Sequence, residues 1–258
     1  MKKLVNYISA SQISQFLFCP LAYKYSYIDG VQQDPPGIYM IYGTAIHEAL
    51  AHNFRQKIKS REDLSWEEVF KKYLDVFETE SSKINFSDGV LKRSFQLSAE
   101  RTLDYYLGNV APTLQPKCVE QKFELKLKHF PITIMGFIDL ITEDGLIIDY
   151  KTVGKDWKRK YTLYELDKNF QATMYASAFR KMFKSKEKAI RFDILPRYEA
   201  EAHLKVTTRT EEQVLNFLKF ATDIEKIIEL GVFMPNLASC SRCQFKDTCN
   251  KRAFIEQS

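Results

Sequence analysis

Apolar positions recur every three to four residues from the N-terminal region as far as Pro112, then largely every second residue. The helical period predicts a capped helix over Ser9–Phe18 that ends near Cys19-Pro20. A second short helix follows over Tyr23–Ile28, with aromatic residues on one face. Asp34-Pro35-Pro36-Gly37 interrupts the pattern, and a helix is expected from near Thr44 towards Lys59, with His47 in its first turn. Two further amphipathic helices are read over Glu62–Glu80 and Leu91–Leu107. Pro112 and Pro116 close this helical half. Cys118–Lys128, Ile132–Thr142 and Leu146–Lys151 then alternate as strands do. Phe170–Met182 reads as a helix, Lys188–Pro196 and Ala202–Thr207 as strands, Glu211–Leu230 as a long helix and Met234–Arg252 as a cysteine-rich loop. The expected fold is α/β: a mixed central sheet flanked by helices. No repeat, low-complexity tract or linker divides it. One domain over 1–258 is expected, with a mainly helical part (1–116), an α/β core (117–232) and a cysteine tail (233–258).

Composition supports a folded chain. Of 258 residues, 45% are hydrophobic, 14% are aromatic and only 9 are glycine, which argues for a substantial core and against disorder. No apolar stretch long enough for a signal peptide follows Met1-Lys2-Lys3-Leu4-Val5-Asn6-Tyr7. No run approaches the roughly 18 apolar residues that span a bilayer. An intracellular protein without a membrane partner is expected, and there cysteines more often bind metal or react than form disulfides.

The hairpin holds the chemistry. Gly136-Phe137-Ile138-Asp139 ends one apolar run, and Asp149-Tyr150-Lys151 ends the next, with the turn Glu143-Asp144-Gly145 between them. Alternate strand residues share a face, so Asp149 and Lys151 point one way and Tyr150 the other. Asp139 on the neighbouring strand can approach Asp149. Two such carboxylates repel unless a cation sits between them, and hard oxygen ligands suit Mg²⁺ or Mn²⁺. A lysine beside the pair can position or activate water. In outline this is a metal-dependent hydrolytic site. Glu120, on the preceding strand, could join it.

Charge is clustered around this hairpin. The net charge is only +5, but Lys151–Lys160 holds Lys151, Lys155, Lys158, Arg159 and Lys160 against Asp156 alone. Arg180–Arg191 holds Arg180, Lys181, Lys184, Lys186, Lys188 and Arg191 against Glu187. Solvated faces often look like this, yet both clusters flank the acidic site and favour a polyanionic substrate. Trp157, Tyr161 and Tyr164 interleave with the first cluster, a composition that suits single-stranded nucleic acid as well as loop packing.

Of the five cysteines, Cys240, Cys243 and Cys249 are spaced Cys-x2-Cys-x5-Cys, close enough to wrap one centre. Zinc or an iron–sulfur cluster usually takes four thiolates, so a fourth must come from elsewhere. Cys19, beside a helix end and a proline, is the candidate. Cys118 starts a core strand and reads as a small hydrophobe. Spacing does not separate zinc from a 4Fe–4S cluster; either would join the N-terminal segment to the tail.

Taken together these residues resemble the RecB-like branch of the PD-(D/E)XK nuclease superfamily, nearest its iron–sulfur exonucleases, which include CRISPR-associated RecB-like nucleases and the AddB nuclease domain. Gly43-Thr44-Ala45-Ile46-His47-Glu48 resembles the motif whose histidine ligates the metal. Gly136–Asp139 resembles the Gly-x-x-Asp strand, and Asp149-Tyr150-Lys151 the Asp/Glu-x-Lys motif. Gln171-Ala172-Thr173-Met174-Tyr175 resembles the Gln-x3-Tyr helix signature, and Cys19 with Cys240, Cys243 and Cys249 the split cluster site. Ile138 stands where the superfamily's name has proline, which is ordinary in this branch.

The resemblance implies that His47, Asp139 and Asp149, with the Tyr150 carbonyl, hold Mg²⁺ or Mn²⁺. It implies that Lys151 assists the attacking water, and that Gln171 and Tyr175, one turn apart on one helix face, orient substrate or support the lysine. Lys155, Trp157, Lys158, Arg159 and Lys160 are the expected nucleic-acid contacts. The implied activity is exonucleolytic hydrolysis of DNA, single-stranded or with free ends, in repair, recombination or processing, with a helicase or recombination partner open. A non-catalytic DNA-binding scaffold with a zinc-held tail, and an endonuclease of the same superfamily, stay open as alternatives.

Overall fold

The computed structural model describes residues 4–33, 35–84, 89–127 and 130–255. Met1–Lys3, the expected break at Asp34 and the expected strand end at Lys128 lie outside the described residues. In chain order the elements are α1 (Ala10–Phe18), α2 (Pro20–Tyr27), α3 (Ile38–Ser60), α4 (Trp66–Lys83) and α5 (Gly89–Asn109). Then come β1 (Pro116–Leu127), β2 (Phe130–Thr142), β3 (Leu146–Val153), α6 (Leu163–Asp167), α7 (Phe170–Phe183), β4 (Ala189–Pro196) and β5 (His203–Thr207). The chain closes with α8 (Glu211–Glu229) and α9 (Lys246–Ile255). Among the described residues, no helix is long and apolar enough to cross a membrane.

Local chemistry sets the helix ends. The Ser9 hydroxyl accepts from the Gln12 amide at the start of α1, and Pro20, which needs no amide partner, begins α2. Ser65 and Glu68 form a reciprocal capping box that starts α4 at Trp66, four residues later than Glu62. Gly37 caps α3 at Ile38, so this helix begins six residues before Thr44 and carries His47 in its third turn, not its first. Gly43 is thus inside the helix. The tail, expected to be a loop, forms α9, and the short α6 was not expected at all.

The sheet has the order β1-β2-β3-β4-β5. β2 and β3 form the expected antiparallel hairpin, pairing Leu140 with Ile148 and Ile141 with Ile147, and Gly145 turns it at φ 82°. β3 and β4 are parallel, with Asp149 opposite Phe192, and β5 is antiparallel to β4. All eight residues of β4 are buried, which the mixed run Ala-Ile-Arg-Phe-Asp-Ile-Leu-Pro tolerates only because Arg191 and Asp193 neutralise each other.

The chain packs as two compact units. One comprises 36–123 and 137–211. In it α3 presents Tyr42, Ala45, Ile46, Ala49 and Phe54 to Tyr73 and Phe77 of α4, Phe95, Leu103 and Tyr106 of α5, and Leu140, Ile148 and Tyr150 of the strands. Burial of each large side chain contributes about 1.5–3 kcal/mol, so this core anchors the strand ends that carry the site. The other unit comprises 1–35, 124–136 and 212–258. Its N-terminal segment pairs with β2, the Ile8 amide donating to the Thr133 carbonyl and the Met135 amide to the Ile8 carbonyl. The Tyr23 hydroxyl donates to Gln12 Oε1, and Cys19, Ala22, Tyr25 and Phe245 form a separate apolar cluster.

Candidate active site

β1, β2, β3 and α3 bring three ligand-type side chains together. One donor atom each from His47, Glu120 and Asp139 lies within 4.8 Å of the others. Asp139 is positioned by a neighbouring strand: its Oδ2 accepts from the Tyr150 amide at 2.7 Å and stands 3.5 Å from His47 Nδ1. His47 packs edge-on against the Tyr150 ring, with centroids 5.6 Å apart. Burial, more than any neighbouring charge, lowers the His47 pKa and keeps the imidazole neutral, the form that ligates metal.

Glu120 reaches this group through a break in its own strand. Its φ is +48°, a left-handed conformation that non-glycine residues seldom adopt. Pro116 is buried on one side of this break and Phe123 and Leu125 on the other, so the in–out alternation changes phase across 118–121. Burial first, then Asp139, raises the Glu120 pKa to about 7. Burial and then Asp149 raise Asp139 to about 8. These carboxylates therefore ionise at a cost that a divalent cation would remove. Two carboxylate oxygens and a neutral imidazole fit Mg²⁺ or Mn²⁺ in donor type.

Beside this set lies a closed circuit of side chains. Lys151 Nζ donates to Gln171 Oε1 at 2.9 Å, and Gln171 Nε2 donates to the Tyr175 hydroxyl at 2.8 Å. That hydroxyl donates to Asp149 Oδ1 at 3.0 Å, and Asp149 Oδ2 is 2.6 Å from Lys151 Nζ. The last contact is a close ion pair on a buried oxygen that accepts no other hydrogen bond. An acceptor lone pair is left for another ligand. Burial is the largest single influence on Lys151 and opposes its charge, but Asp149, Asp139 and Tyr161 together outweigh it, and the lysine pKa is raised. The ammonium is thus fixed and charged.

The structure brings His47, Asp139, Asp149, Lys151, Gln171 and Tyr175 together, and adds Glu120. Sequence gave Glu120 only weak support. It stands at an even position among apolar odd ones (Val119, Phe123, Leu125) and so reads as outward-facing, and no glycine signals the turn. The Tyr150 side chain points away into the core, as strand alternation requires.

Lys155, Lys158, Arg159 and Lys160 are exposed on the loop after β3. Trp157 is not: it is 5% exposed, packs on His203 at 4.6 Å and donates to Glu199 Oε1, so it anchors the loop and offers no stacking face. Tyr164 is 65% exposed. Much of the second basic cluster is spent on ion pairs: Arg180 with Glu187 and Glu211, Lys188 with Asp144, and Arg191 with Asp193.

In the other unit Cys19, Cys240, Cys243 and Cys249 line one small cavity of about 40 Å³, with Tyr25 and Phe245. The Asn236 amide donates to Cys19 Sγ at 3.3 Å. Burial and then the three other thiols raise the Cys249 pKa. Four thiols around one cavity match the ligand number of a soft metal centre. Cys118 does not line this cavity.

The model of the PD-(D/E)XK nuclease superfamily matches residues 7–250. The chain belongs to this superfamily, whose nucleases use divalent metals, and His47, Glu120 and Asp139 form a candidate site for one. Among solved structures, a candidate exonuclease from Eubacterium rectale has a similar fold, with a TM-score of 0.58 at 13% identity. The similarity covers 90% of this chain and 84% of that one. The protein SSO0001 matches at 13% identity over 80% of this chain and 92% of its own, with a TM-score of 0.33. No curated protein matches the sequence.

Proposed function

We propose that the chain is a metal-dependent DNA exonuclease of the RecB-like iron–sulfur branch. The observation that carries this reading is the juxtaposition of the His47–Glu120–Asp139 donor set with a charged lysine held in a closed circuit. His47, Glu120 and Asp139 would hold the Mg²⁺ or Mn²⁺, with Asp149 and the Tyr150 carbonyl as further ligands. The bound metal supplies a polarised phosphate and a water of lowered pKa. Lys151 orients the attacking water and offsets charge building on phosphorus as the water oxygen attacks and the leaving oxygen departs. Gln171 and Tyr175 fix the lysine and Asp149, while Lys155, Lys158, Arg159 and Lys160 hold the strand's phosphates.

The four cysteines around their common cavity support a 4Fe–4S centre, or zinc, as a clamp between the N-terminal segment and the tail. DNA ends, preferentially single-stranded, are the proposed substrate, and processing or repair of DNA the proposed setting. Linear end-labelled single-stranded DNA should lose nucleotides progressively in Mg²⁺ or Mn²⁺, whereas closed circular single-stranded DNA should persist. Opening of the circle would make the protein an endonuclease. Tight binding with no cleavage of either substrate would make it a DNA-binding scaffold.

A further inference from the structure

Arg197 is a buried cation without an anion. It follows β4 and is 6% exposed, yet among the described residues no carboxylate pairs with it. Its Nη1 donates to Ser94 Oγ at 3.3 Å and its Nη2 to the Tyr198 hydroxyl, while its Nε is buried with no hydrogen-bond partner. The guanidinium lies over three rings, 4.4 Å from the centroid of Phe95, 4.2 Å from that of Tyr198 and 5.5 Å from that of Tyr39. Ring faces offset part of the cost of burying the charge, but hydrogen-bond capacity is left over. The backbone at 197 is itself fixed: its amide donates to the Val153 carbonyl and its carbonyl accepts from Ser98 Oγ.

Arg197 lines a cavity of about 100 Å³ with Tyr39, Tyr42, Thr152, Val153 and Gly154. Of the lining residues Tyr39 is 60% exposed; the neighbouring Tyr198 does not line the cavity, and Arg197 and Lys155 Nζ, the latter at 4.9 Å, lie over its ring. The cavity also shares its supporting elements with the catalytic group. Thr152 is the residue after Lys151, and Tyr39, Gly43 and His47 form one stripe of α3 at four-residue spacing. Eight helical residues rise about 12 Å, a span of a few nucleotides at roughly 3.4 Å of rise each.

We propose that this cavity is a subsite for single-stranded nucleic acid. In it Arg197 binds a phosphate of the strand a few nucleotides from the metal, and Tyr39 stacks on an adjoining base. Arg197 supplies a fixed planar donor for the phosphate, and the aromatic walls accept any base, so the subsite grips a strand without reading its sequence. A duplex, whose bases are stacked on one another, cannot use the walls. The subsite rests on the nuclease reading for its neighbour, the metal group, and gives the single-strand preference a physical origin.

The test separates binding from cleavage. In an Asp149→Asn background, in Mg²⁺, fluorescence anisotropy of a labelled oligothymidylate gives affinity against salt concentration. Arg197→Gln should weaken binding about tenfold or more and lower the slope of log affinity on log salt by about 0.7, the share of one single-strand phosphate. Tyr39→Ala removes an exposed ring and should weaken binding about 5- to 100-fold without changing that slope. Duplex affinity should respond to Arg197→Gln but not to Tyr39→Ala. Oligomers with and without a terminal phosphate distinguish an internal phosphate, for which both lose affinity equally, from an end phosphate. Should Arg197→Gln unfold the protein, Tyr39→Ala decides alone. Unchanged single-strand affinity in Tyr39→Ala, or an unchanged salt slope in a folded Arg197→Gln, overturns the subsite while leaving the nuclease reading intact. Absence of cleavage by the unsubstituted enzyme overturns that reading instead, whatever the binding shows.

Discussion

Glu120 adopts a backbone conformation that costs on the order of 1–3 kcal/mol for a non-glycine residue. The return is a carboxylate within 4.8 Å of His47 and Asp139 donor atoms. Glu120→Gln keeps the shape and removes the charge, so Mn²⁺ affinity by titration calorimetry should fall at least about tenfold while the melting temperature of the metal-free protein holds or rises. Unchanged affinity would remove Glu120 from the ligand set. The same groups set a pH dependence. Glu120 is held up to about 7 and Asp139 up to about 8, chiefly by burial, and a metal ion must displace their protons. Protons compete below these values, so Mn²⁺ affinity should climb as pH rises through them and level off above; a flat profile would contradict the assignment. At this scale the two aspartates and the lysine were legible because strand alternation fixes their faces. Glu120 was legible only as a residue that could join the site, because its position depends on a phase change that no glycine or proline marks.

Among the elements, α3 matters most to the geometry. A β-carbon on Gly43 would stand 2.8 Å from Thr152 Oγ1, so glycine permits the close approach of helix to strand β3. That approach sets where His47 and Tyr39 fall. Gly43→Ala improves helix propensity by about 0.5–1 kcal/mol but crowds Thr152, so stability should change by less than about 1 kcal/mol. Nuclease activity should fall about tenfold, and Thr152→Ala in the same chain should recover most of it; full activity in Gly43→Ala alone would show that the approach is not needed. The hairpin, the parallel partner strand and the long helices were readable from period and turn residues. The start of α3 was misplaced because Gly43 looks like a boundary residue, whereas its role is packing between elements far apart in sequence. The capping box at Ser65 and Glu68 could have located α4, since its spacing is explicit in the chain.

For the whole molecule, charge and cysteines were legible in different degrees. The +5 excess says little, and of its two dense clusters one has three of its six cations, Arg180, Lys188 and Arg191, in ion pairs with Glu187, Glu211, Asp144 and Asp193, of which Glu211 and Asp144 are brought near by folding. The spaced triplet Cys240, Cys243 and Cys249 lines one cavity with Cys19, the candidate taken from its place beside a helix end and a proline, and Cys118 does not line it. Metal binding by such a set acts as folding free energy. Cys249→Ser should lose the bound iron or zinc, measured by elemental analysis, and lower the melting temperature by about 10 °C, on the order of a few kcal/mol. Cys118→Ser should retain the metal; equal metal content in both variants would refute the clamp. The most direct measurement remains release of nucleotides from end-labelled single-stranded DNA in Mg²⁺ or Mn²⁺ by the unsubstituted protein, Asp149→Ala and Lys151→Ala. The unsubstituted protein should digest the strand and both variants, folded by circular dichroism, should lose at least about a thousandfold in rate. Undiminished digestion by either folded variant would contradict metal-dependent hydrolysis at this site.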